Sequence, residues 1–198
     1  MERPQILDHK FFHLLDPVTD YIDSGRFFRQ PLMWLYYIIG VLTALVPFYA
    51  IYKFADLLKW LDGGDVFRAI LVWLIFTAVC VGLMLLMFNR AGRLNALMPT
   101  DSKFVAIPAI ANIIRTFGEY LGLFIGIFFP LAMIIAADSR IAYELDIYEA
   151  SLAQFIYLII SGFLLIVFTR FLSEAILAIA EIANKTDRIA RNTNPRRD

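Results

Sequence analysis

Histidine is nearly missing from this chain: only His9 and His13 occur, both ahead of the first long apolar run. With no histidine at depth, the usual bis-His ligation of an intramembrane haem is excluded. Cysteine is rarer still. Cys80 stands alone inside an apolar block, which rules out a disulfide framework and a thiolate metal site and leaves it the role of a small hydrophobe. A surplus of charge is also lacking, since 18 Lys and Arg balance 18 Asp and Glu. A zero net charge argues against the broad basic face of a nucleic-acid binder, so no nucleic-acid partner is expected.

Catalytic signatures are absent as well. There is no P-loop, no GxSxG, no HExxH and no TVGYG filter. The apolar blocks hold no Ser–His arrangement or paired aspartates, and a single carboxylate is a poor basis for proton pumping. These absences point to a non-enzymatic protein without a cofactor. His9 and His13 are spaced i, i+4, and Asp16 and Asp20 extend that face. They are the only metal candidates, and two histidines outside a metal motif are ordinarily surface residues. The first 30 residues lack a continuous apolar core, so they do not read as a cleavable signal peptide.

What the chain has in abundance is hydrophobicity. Of its 198 residues, 60% are hydrophobic and 18% charged, with a mean hydropathy of +0.68. Soluble domains sit nearer 45–50% and about 25%. The excess falls in four blocks, and the expected fold is an all-α membrane protein. It comprises four transmembrane helices, interfacial helices and a long cytoplasmic C-terminal helix.

Residues 1–30 form a mixed polar and aromatic segment, read as a cytoplasmic or interfacial lead-in with a helix start at Asp16-Pro17. The transmembrane bundle covers 31–169, with spans at 31–52, 69–88, 104–137 and 152–169. Trp34, Tyr36 and Tyr37 mark one end of the first span, and Tyr49 and Tyr52 the other, as in an interfacial aromatic belt. Pro47 is expected to kink that span. Gly63-Gly64 punctuates the loop that follows, and Asp101 is a candidate cap for the third block. The segment 170–192 continues span four as a cytoplasmic helix with an Ile176, Ile179, Ile182, Ile189 stripe, and 193–198 is expected to be a disordered tail. Arg170/Glu174, Glu181/Lys185 and Asp187/Arg191 are i, i+4 pairs that support that helix.

The third block carries the candidate site. Across Phe104–Ala137 only Arg115 and Glu119 are charged, four residues apart and so able to pair on one helix face. Asn112 lies a turn earlier and extends the polar strip. Ionisable groups at membrane depth are functional-site candidates, and this strip is the candidate lining of a permeation path. The competing reading is a pair that snorkels into headgroups. Gly118, Gly122 and Gly126 form two overlapping GxxxG patterns, a packing face for a helix of the same chain or of a second subunit. The block exceeds one simple crossing. It is divided near Gly118, with a joint at Pro108, into an interfacial part and a span; a single long tilted helix is the alternative.

Counting Lys and Arg orients the chain. Thirteen fall in the N-terminal segment, the loop after span two and the C-terminal segment, against four in the other two loops. The positive-inside rule then puts both termini in the cytoplasm, in a cell inner membrane. A two-plus-two repeat is suggested by Tyr37 and Pro47 matching Tyr120 and Pro130, and by the exits Asn89-Arg90 and Thr169-Arg170. In general build, a short tetraspan chain ending in an Ile/Ala-rich charged helix resembles bacterial membrane proteins, a resemblance that implies no function. The functional expectation is a protein that self-assembles and forms or gates a small permeation pathway. Its alternative is an accessory or scaffold subunit of a larger membrane complex.

Overall fold

The computed structural model describes residues 26–59, 61–97, 106–137, 139–144 and 151–193. The lead-in helix at Asp16-Pro17, His9 and His13, the Asp101 cap, and the tail beyond Thr193 lie outside them, as do the side chains of Asp187 and Arg191. The described residues are almost wholly helical and contain no strand. Four helical rods are long and apolar enough to cross a membrane.

Helix α1 is Arg26–Leu58 and α2 is Gly63–Leu97. Helix α3, Ala106–Leu123, runs through a π-helical turn at Phe124–Phe128 into α4, Phe129–Ala136. A short α5, Arg140–Glu144, precedes α6, Leu152–Thr193. Helices α1, α2 and α6 outrun their apolar blocks, because hydropathy marks the part that tolerates lipid while the backbone ladder continues past it. Gly63-Gly64 therefore opens α2 instead of marking a loop. Residue 193, expected in the tail, closes α6, with its hydroxyl donating to the Ile189 carbonyl at 2.6 Å.

The third block is one continuous rod with no joint at Pro108. That proline falls in the first turn of α3, where a helix has no donor to lose. Pro130 is different. It cannot bond the carbonyl four residues back, and the π turn lies immediately before it. The wider turn stacks the Phe124 and Phe128 rings, 5.2 Å apart and 17° from parallel, and sets Phe128 5.1 Å from Phe76 of α2.

Two helix pairs dominate the packing: α1 with α2, and α3 with α6. The pairing suits a repeated hairpin, yet the halves handle their prolines differently. Helix α1 passes Pro47 without a π turn, and Trp73 Nε1 of α2 donates to the Pro47 carbonyl at 3.0 Å. One apolar cluster, with Val72, Phe128, Ala132 and Met133, fills the end near α5. A second, with Leu32, Tyr36, Met87 and Leu94, fills the opposite end.

Candidate functional site: an arginine cluster on Glu119

The glycines of α3 decide where its polar groups point. Gly118, Gly122 and Gly126 all face α6. A Cβ on Gly122 would stand 2.6 Å from the Gly162 carbonyl, and one on Gly162 would stand 2.6 Å from Gly126 Cα. A Cβ on Gly118 would collide with the Thr169 side chain. The strip is thus filled from within the chain, at backbone-to-backbone distance. This close crossing carries Arg170 of α6 over to α3.

Glu119 sits at the centre of what results. Its side chain is 7% exposed. Arg90 of α2 donates through Nε to Oε2 at 3.0 Å and makes a second contact to the same oxygen through Nη2. Arg115, a turn back on α3, donates through Nε to Oε1 at 3.2 Å. Arg170 donates through Nε to that same oxygen, also at 3.2 Å. Three helices therefore meet on one carboxylate. Among the described residues the cluster carries three guanidinium groups against one acid, a formal charge of +2.

Exposure is graded across the three cations. The Arg90 side chain is 11% exposed, Arg115 31% and Arg170 51%. Arg90 is the internal counter-ion, and the other two form a cationic rim.

Beside the cluster, two separate hydrogen-bonded groups lie between α3 and α1 like rungs of a ladder. Asn112 Nδ2 donates to the Tyr36 hydroxyl at 3.0 Å, and that hydroxyl donates to Thr116 Oγ1 at 3.3 Å. Deeper in, the Thr43 and Tyr120 hydroxyls lie 2.9 Å apart, and Thr43 also donates to the Ile39 carbonyl at 2.8 Å. Every buried side-chain polar atom among the described residues has a partner. Tyr36 is thus wholly buried as a ladder member, while Trp34, Tyr49 and Tyr52 are exposed.

The polar levels of the bundle are spaced like the two faces of a bilayer. At the far end, Arg68 reaches the Ala137 carbonyl at 3.3 Å and Asp65 at 3.8 Å. From Arg68 to Arg90, from Leu152 to Arg170 and from Ala136 back to Glu119, the helices rise about 33, 27 and 26 Å at about 1.5 Å per residue. A hydrocarbon core is about 30 Å thick. The cluster therefore lies about one hydrocarbon thickness from the far polar level.

Sequence reasoning pairs Arg115 with Glu119 and places Asn112 on the same strip; the structure joins the first two directly and turns Asn112 to Tyr36. The same reasoning treats Arg90 and Arg170 only as span exits and matches Arg170 with Glu174 along its own helix; the structure sends Arg170 to Glu119. The usable signal is depth: spans two and four exit at the level where span three carries its charges. The described residues contain no cluster of three or more His, Cys, Asp or Glu suited to a metal. Compared with family models, curated proteins and solved structures, the chain has no match.

Proposed function

We propose that this is a non-enzymatic, multi-pass inner-membrane protein that works as an assembling subunit, with both termini in the cytoplasm. The observation that carries this reading is the face of α6 beyond Arg170. Ile179, Ile182 and Ile189 are each 65–66% exposed there, on a stretch that rises about 35 Å past the cluster. With exposed Thr186 they fall at alternating three- and four-residue steps, the spacing of a helix–helix seam. Outside the hydrocarbon such a stripe is covered by a second helix, and a second copy of α6 has the matching one.

The inward turn of the polar side chains favours assembly over conduction. Glu119, Asn112 and Thr116 bond within one chain, and the membrane-depth outer faces of α1, α2 and α6 are mainly apolar. A permeation pathway is the second reading, favoured by the ladder of hydroxyls from Thr116 to Thr43 at membrane depth.

Native mass spectrometry of the protein in mild detergent tests the first reading. A discrete oligomer that dissociates in the Ile179→Asn/Ile182→Asn variant is expected; a monomer under all conditions overturns self-assembly. Ion flux into liposomes that vanishes with Glu119→Gln would establish the second reading instead.

A further inference from the structure

We infer that the Arg90–Arg115–Arg170 cluster is a binding site for a phosphate group at the membrane surface, the position of an anionic lipid headgroup. Three observations carry this, none of which depends on the assembly reading. The first is charge: two positive charges remain after Glu119 is counted. The second is geometry. Arg115 and Arg170 each meet Glu119 through Nε alone, one of the five N–H donors of a guanidinium. Four donors on each lie outside that contact, in the planar fork that matches phosphate oxygens. Glu119 holds the two forks side by side by sharing a single oxygen between them. The third is depth and access: these are the more exposed members of the cluster, and they stand one hydrocarbon thickness from the far polar level.

The construction separates holding from binding. Glu119 and the buried Arg90 fix the frame, and the rim arginines present donors outward. A general basic surface would attract anionic lipid diffusely through Lys and Arg side chains. Here the attraction is concentrated on two guanidinium groups with a common anchor. Arg93, exposed one turn beyond Arg90, is at a similar level but makes no contact with Glu119 among the described residues. It is the natural control.

The test uses full-length protein in nanodiscs of phosphatidylcholine mixed with phosphatidylglycerol, with the lipid that remains after detergent extraction counted by native mass spectrometry. Wild-type protein is expected to retain phosphatidylglycerol about tenfold over its share of the mixture. Arg115→Gln and Arg170→Gln should each reduce that enrichment at least threefold, and Arg93→Gln should leave it unchanged. Arg170→Gln removes the most exposed cation, so its folded, monodisperse fraction can still be measured. A thermal-shift series with inorganic phosphate in pure phosphatidylcholine distinguishes the sources. Stabilisation that needs Arg170 would keep the phosphate site and assign it to a free anion. Retention equal across all variants, with no phosphate shift, overturns the site. An equal loss in Arg93→Gln also overturns it, because diffuse attraction is then sufficient.

Discussion

Glu119 is held by cations from three helices, so its removal is not equivalent to the loss of one surface ion pair. Glu119→Gln leaves Arg90 buried beside a neutral amide and brings three guanidinium groups together without their anion. Removing one partner of a buried pair costs about 3–5 kcal/mol. We expect a loss of that order in denaturant-induced unfolding in mixed micelles, and a distinctly smaller one for Arg170→Gln, whose side chain is half exposed. Equal losses would mean that the cluster does not act as a frame. Only part of it was legible in the sequence. Arg115 and Glu119 are neighbours on one helix, and their spacing alone brings them together. Arg90 and Arg170 lie 29 and 51 positions from Glu119, and such contacts depend on how helices are placed, which periodicity does not carry.

At the scale of elements, the glycines separate into those that matter for packing and those that do not. The three-glycine strip of α3 was readable as a close-approach face, whereas its occupant was not, because a small-residue pattern does not name its partner. The occupant is α6, through Gly162, Ile166 and Thr169. Gly162→Val should therefore separate α3 from α6 and destabilise the bundle by about 1–3 kcal/mol, the usual range for overpacking. A Cβ placed on Gly82 of α2 would meet nothing within 4 Å. Gly82→Ala should be neutral or stabilising by up to about 1 kcal/mol through helix propensity. Thermal unfolding of the two variants side by side checks both signs. The π turn ahead of Pro130 was beyond sequence reading for a related reason. Proline announces a missing hydrogen bond, but the way neighbouring rings and helices absorb it is a property of the packed rod.

For the whole molecule, four spans were legible because a bilayer imposes a length and a composition that few other environments require. Their register against one another was not, since apolar blocks carry few marks of relative height. The proposed orientation gives a direct test. In a Cys80→Ser background, Asp62→Cys lies between α1 and α2, and Thr193→Cys ends α6. An impermeant maleimide added to intact cells should label residue 62 only, and residue 193 after permeabilisation. Labelling of residue 193 but not residue 62 from outside would reverse the topology.

The close crossing at Gly162 and the ion pair at Arg170 have a mechanical consequence. They hold α6 at two points about 12 Å apart, while its free arm runs about 35 Å further to Thr193. Two fixings on a stiff rod set its direction, and a shift at the second is magnified at the tip in the ratio of the whole length beyond the first to the spacing between them. A change of about 1 Å in how Arg170 sits on Glu119 would thus swing the tip of α6, about 47 Å from the Gly162 pivot, by about 4 Å. Whatever occupies the arginine cluster at the membrane surface holds the short end of a lever, and the isoleucine seam lies along the long end.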